Sequence, residues 1–131
     1  MYEIELSESL FPPQTNGELR EITIGGLLRK TVEQFADSTA IVDIALDGSP
    51  TQQWSYGELL TISEKLAMGL ASRFEPGERV LVWAPNIPAW LFMEYACALA
   101  GLVLVTANPS FQARELRYVL EQSGAVALFR V

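Results

Sequence analysis

Ser55 and Glu58, spaced S-x-x-E, together with Cys97, Lys30 and Lys65, are the side chains here whose types could support group transfer. A serine nucleophile needs a base to activate it, and the chain has no histidine to serve. The S-x-x-E spacing is also that of a helix capping box, in which the Ser55 hydroxyl accepts from the Glu58 N–H and the carboxylate reaches back to the Ser55 N–H. Capping is the better reading. Cys97 sits among Ala96, Ala98 and Leu99 and reads as a small core residue. Lys30 and Lys65 fall in helix-like segments, where long amines face water. Asp47-Gly48-Ser49-Pro50 has turn chemistry but no lysine and no helix after it, which argues against phosphate binding. No catalytic, cofactor-binding or metal-ligating residue is therefore assigned. The better candidates for a ligand are two loops, Ala84-Pro85-Asn86 and Thr106-Ala107-Asn108-Pro109. Both follow strand-like runs, where doubly wound folds place ligands, although a helix cap at Asn86 and a chain turn at Asn108-Pro109 explain them as well.

The elements that would hold these residues follow from spacing. Residues 1–22 carry Pro12-Pro13, Asn16-Gly17 and five acids, and read as a polar arm pinned by Leu10 and Phe11. Thr23 can cap a helix from Ile24 to about Ala36, with Ile24, Leu28, Thr31, Val32 and Phe35 inward. Ala40–Leu46 and Thr51–Trp54 flank the Asp47–Pro50 turn as a hairpin. A helix after Ser55 places Leu59, Ile62, Leu66 and Leu70 on one stripe and ends near Phe74, before Pro76-Gly77. Arg79–Ala84, Leu102–Thr106 and Ala125–Phe129 are strand runs. Between them lie a helix ending at Ala100, capped by Asn86 with Pro88 in its first turn, and one starting near Ser110 and ending before Gly124. Arg117 and Glu121 pair across one turn of the latter. Strand–helix–strand–helix–strand with short links predicts parallel strands and right-handed crossovers. The expected class is α/β: a partial doubly wound parallel sheet with flanking helices, plus an N-terminal helix and β-hairpin.

Composition narrows the partners. Half the residues are apolar, so the chain is globular. Its net charge is −7, of which residues 1–50 carry −6 (nine acids, three bases), and no basic patch exists to neutralise nucleic-acid phosphates. The single cysteine forms no internal disulfide and fits a reducing compartment, here the cytoplasm. Met1–Glu5 is acidic and is not a signal peptide. Residues 89–107 are apolar except for Glu94 and Thr106. Glu94 offsets the insertion gain of the apolar residues, and Gly101 divides the stretch into a helix and a short β run, so no membrane span is assigned.

Five stretches in register resemble the N-terminal part of adenylate-forming acyl-CoA synthetases, the AMP-binding enzyme family. They are Trp54-Ser55-Tyr56-Gly57-Glu58-Leu59, Glu75-Pro76-Gly77-Glu78-Arg79-Val80, Ala84-Pro85-Asn86, Ala100-Gly101-Leu102-Val103-Leu104-Val105, and Asn108-Pro109 followed by Ala113-Arg114-Glu115-Leu116. The resemblance covers residues 23–131, and Leu102–Pro109 looks most like fatty-acyl members. Glu78 stands where the family usually has Asp, and Gly26 where an acid often follows the first cap. The resemblance implies a reaction in which a carboxylate and ATP give acyl-adenylate and pyrophosphate, with Mg²⁺ balancing phosphate charge, after which the thiol of CoA displaces AMP. The family's phosphate loop, adenine segment, ribose-binding Asp and C-terminal Lys have no matching positions here. Residues 23–131 are accordingly expected to be an incomplete N-terminal portion of the large domain of a fatty-acyl-CoA ligase, inactive alone. Its first partner is the remainder of its own domain. Self-association is expected through an under-covered face including Trp90, Phe92 and Leu99. The alternative is a stand-alone small α/β binding or scaffold module without catalysis.

Overall fold

The computed structural model describes Gly17 and residues 20–130; the polar arm expected over residues 1–22 lies almost wholly outside the described residues. Helix α1 runs Ile24–Phe35, with Thr23 in extended conformation and its Oγ1 accepting from Gly26 N at 3.0 Å. The inward face differs from the one its apolar residues suggest. Gly25 and Leu28 are buried, whereas Ile24 and Phe35 are 61% and 52% exposed. Gly25, which has no Cβ, lets α1 lie directly against Leu99 of the third helix, and this close approach sets the rotation of α1.

Strands β1 (Thr39–Ile44) and β2 (Pro50–Ser55) form an antiparallel hairpin with Val42 opposite Gln53 and Asp43 opposite Gln52. Its turn is built as expected. Asp47 Oδ1 accepts from Ser49 N and Oγ at 2.9 and 2.6 Å, and Gly48 takes the left-handed φ of +85° that a side chain would resist. Helix α2 spans Tyr56–Ala71 and buries Leu59, Ser63, Ala67 and Leu70. Leu66, placed inward by its spacing, is instead 41% exposed. The stripe through Ser63 and Ala67 wins because small side chains admit helix α3 (Pro88–Ala100), whose own contact residues, Ala96 and Cys97, are also small.

The rest is a three-stranded parallel sheet in the order β4 (Val103–Ala107), β3 (Arg79–Trp83), β5 (Ala127–Arg130). The chain steps from β3 to β4 on one side and then back across β3 to β5. A right-handed crossover in each direction puts α3 and α4 (Ala113–Ser123) on opposite faces. The alternation of β3 shows it: Val80 packs with α2 and α3, and Leu81 packs with Leu116 of α4. Both are fully buried, each contributing about 1.5–3 kcal/mol. Helices α3 and α4 end on Gly101 (φ +73°) and Gly124 (φ +66°), as their sequences predict.

Two expected starts move. Asn86 does not cap α3; Ile87 holds that position without a side-chain bond, and Pro88 opens the helix. Helix α4 begins at Ala113, because Asn108 Oδ1 binds Ser110 N and Oγ at 2.9 and 2.7 Å and turns the chain there. Gln112 N then donates to Glu115 Oε2 at 2.8 Å, and Glu115 N donates to the Gln112 main-chain carbonyl at 3.0 Å. The 89–107 run is divided between α3 and β4, and no helix among the described residues is long and apolar enough to cross a membrane.

Candidate functional site

The side chains whose types could support group transfer are capping, buried or solvent-exposed in the fold. Ser55 N donates to Glu58 Oε2 at 2.8 Å and Glu58 N donates to Ser55 Oγ at 3.2 Å, so both halves of the capping box form. Cys97 is 1% exposed, and burial pushes its thiol up to about 11. Burial, with Glu94 and Tyr56 nearby, also raises the Tyr95 phenol. Neither group is prepared to act as an anion at neutral pH. Hydrogen bonds from Ser49 hold the Asp47 carboxyl below its ordinary value, as expected for an exposed turn aspartate. Lys30 and Lys65 are exposed. Among the described residues no group of three or more His, Cys, Asp or Glu is placed to hold a metal ion.

The two candidate loops do meet. They leave the carboxyl ends of neighbouring parallel strands, β3 and β4, and diverge toward opposite faces of the sheet. Trp83, the last residue of β3, joins them: its Nε1 donates to the Asn108 carbonyl oxygen at 3.0 Å. On the other side Arg130, paired with Trp83 in register across β3 and β5, lays its guanidinium carbon 5.1 Å from the ring centroid. The rim is thus a row of Asn108, Trp83 and Arg130, one from the end of each strand.

A separate groove of about 420 Å³ lies between β1 and the start of α3, lined by Ile41, Ile44, Asn86, Pro88, Trp90 and Leu91 among others. Its walls are mainly apolar. Asp43, also in the lining, binds Thr51 Oγ1 through Oδ2 at 2.7 Å. The rim and groove can position a ligand, but neither contains a nucleophile with a base beside it. Spacing did not reveal the Trp83–Arg130 stack, because two residues 47 positions apart become neighbours through strand register alone. Phe92 and Leu99, expected to be under-covered, have partners. Phe92 meets Trp54 edge-on with centroids 5.4 Å apart, and Leu99 packs on Gly25 and the core of α2, α3 and the sheet.

Comparison with known proteins agrees with this arrangement. A family model described as AMP-binding enzyme matches residues 28–131. YngI of Bacillus subtilis (strain 168) is 38% identical over 114 residues, which are 85% of this chain and 20% of that protein. The medium-chain acyl-CoA ligase ACSF2, mitochondrial, of Pongo abelii is 37% identical over 115 residues, covering 87% of this chain and 18% of that one. The chain therefore spans about a fifth of the length of the curated relatives it matches. The N-terminal subdomain of Klebsiella oxytoca NpsA, solved with anthranilyl-AMSN, superposes with a TM-score of 0.74 over 82% of this chain and 27% of that one; at 22% identity the likeness concerns the fold.

Proposed function

Because the chain belongs to the AMP-binding enzyme family, we propose that residues 23–131 supply the N-terminal part of the large domain of an ATP-dependent acyl-CoA ligase. The observation that carries this reading is the family match over residues 28–131, with relatives of which the chain spans about a fifth. The substrate we infer is a fatty carboxylate, in keeping with the medium-chain ligase among those relatives. The overall chemistry is conversion of carboxylate and ATP to acyl-adenylate and pyrophosphate, followed by transfer of the acyl group to CoA.

The residues present do not fit the nucleotide's phosphates or Mg²⁺. Among the described residues there is no group of three or more His, Cys, Asp or Glu placed to hold a metal ion, and the Asp47-Gly48-Ser49 turn has its side chains bonded to each other. We assign no catalytic role within this chain; its part is architectural. It presents the rim of Asn108, Trp83 and Arg130 and the apolar groove beside α3 to the remainder of the enzyme. A single buried thiol with no disulfide fits the cytoplasm as the place of action.

ATP–pyrophosphate exchange tests the reading. The chain alone gives no exchange with any carboxylate. Joined to the region that follows the matched segment in ACSF2 of Pongo abelii, it exchanges with fatty acids. Exchange by the chain alone would overturn the assignment of the machinery elsewhere; a folded fusion silent with short, medium and long fatty acids would overturn the ligase reading.

A further inference from the structure

We propose that Leu10 and Phe11, in the stretch of this chain that precedes the described fold, dock in the groove between the C-terminal ends of α2 and α3. The groove encloses about 410 Å³ and is floored by Met68, Ala71, Leu99 and Ala100. At one end Arg29 and Glu64 close it with an ion pair of 3.0 Å between α1 and α2. No strand residue lines it. Helices α2 and α3 cover one face of the sheet, and α1 packs on both helices in turn. Met68, at the lip, is 67% exposed, more than any other large apolar side chain described in the four helices.

Three observations make the chain's own arm the occupant. The first is reach. Gly25 approaches Leu99 so closely that an added Cβ would lie 2.8 Å from Leu99 Cδ2, so the groove begins beside the first turn of α1. Ile22 lies against that same turn, at Gly26. From Phe11 to Ile22 the chain can span up to about 36 Å, ample for Phe11 to fold back on the groove. So short a tether holds the arm at roughly millimolar effective concentration, well above that of a second copy in a dilute solution. The second observation is composition. Between Ser7 and Ile22 the large apolar residues are Leu10, Phe11 and Leu19, and Leu10-Phe11 runs directly into Pro12-Pro13. The fixed φ of the two prolines lowers the conformational freedom lost on docking. The third is charge. Residues 1–17 carry three acids and no base, and Glu8 stands two positions before Leu10. The groove carries Arg29 on its α1 wall, and exposed Lys65 is one turn from Met68 on α2. Its one carboxylate, Glu64, is already answered by Arg29.

Thiol labelling of the whole chain carrying Met68→Cys reads the docking, and native Cys97, 1% exposed, does not compete for the reagent. With the arm intact, labelling is about tenfold or more slower than in the same chain with Leu10→Ser and Phe11→Ser, which free the groove. A cysteine at Leu46→Cys, on the exposed hairpin tip, is labelled at the same rate in both. Equal rates at Met68→Cys overturn the proposal. So does an equal change at Leu46→Cys, which marks loosening of the whole fold. Protection that fades on dilution overturns it as well, since the occupant is then a second copy. If the two serines lower the folded fraction, followed by tryptophan fluorescence, Phe11→Ala alone is used and the same rates decide. In the fusion with the ACSF2 remainder, protection still depends on Leu10 and Phe11. Protection that survives their replacement assigns the groove to the remainder and overturns the docking. None of these readouts is an activity, so the arm and the ligase reading fail separately: pyrophosphate exchange with an open groove sinks the docking alone, and a protected groove without exchange sinks the ligase alone.

Discussion

Gly25→Ala and Gly69→Ala are the same chemical change in two helices, and the structure gives them opposite signs. In a helix interior alanine is favoured over glycine by about 1 kcal/mol. At Gly69 of α2 an added Cβ meets no atom within 4 Å, so the gain, which comes chiefly from the lower conformational entropy of the unfolded chain, is realised at about 0.4–1 kcal/mol. At Gly25 the Cβ would lie 2.8 Å from Leu99 Cδ2, 3.2 Å from Cγ and 3.4 Å from Cα. Rotating the Leu99 side chain relieves the first contact. The second, to Cγ, is tight and moves only with χ1, so α1 must give by a few tenths of an ångström or Leu99 must change rotamer within the core cluster; the 3.4 Å to Cα is ordinary contact. Overpacking of this kind costs about 1–3 kcal/mol, and propensity offsets at most about 1 of it, less in a first turn. The expected result is that Gly25→Ala loses about 1 kcal/mol and Gly69→Ala gains a little under 1. For a chain of 131 residues, each kcal/mol moves the melting temperature by about 4 °C. Urea unfolding followed by the fluorescence of the three tryptophans measures both. The double variant with Leu99→Ala assigns the cause: a coupling near 1 kcal/mol means the loss at Gly25 comes from this contact. A Gly25→Ala protein as stable as the parent, or a coupling near zero, would refute the reasoning.

Three further outcomes follow from the same structure. Ser63→Ala should raise stability by about 1 kcal/mol, because the Ser63 hydroxyl is fully buried with no hydrogen-bond partner and its desolvation is unrepaid; a loss of similar size in urea unfolding shows the hydroxyl is satisfied after all. Ser55→Ala removes one half of a formed capping box and should cost about 1 kcal/mol, seen as a lowered urea midpoint with unchanged slope. Stability should fall as pH rises from about 8.5 toward 11, since the unfolded Cys97 thiol releases its proton in that window while the folded one, raised to about 11, keeps it. The upward shift at Tyr95 acts in the same direction at the top of that range. Cys97→Ala should flatten the lower part of the fall; an unchanged pH profile counts against burial as the cause.

Local chemistry was legible from the sequence, because its causes lie within a few residues. Ser55 and Glu58 satisfy backbone donors three positions away, Gly101 and Gly124 occupy positions of positive φ, and Arg117 and Glu121 meet at 2.7 Å one turn apart. Alternating strand and helix patterns with short links predicted the parallel sheet and the division of 89–107 between a helix and a strand. The choice among adjacent helix stripes was not legible. Leu66 and Ser63 are both reasonable inward positions on α2, and Ile24 competes with Gly25 on α1. Which one faces in depends on how closely a neighbouring helix approaches, a distance set by residues far away along the chain. The start of α4 was missed for a local reason: Asn108 spends its side chain on Ser110, and Gln112 is an uncommon cap. The rim of Asn108, Trp83 and Arg130 belongs wholly to tertiary structure. Sequence supplied two loops at strand ends; only parallel register could bring Trp83 between an asparagine carbonyl and an arginine, because side-by-side strands convert separations along the chain into single inter-strand spacings.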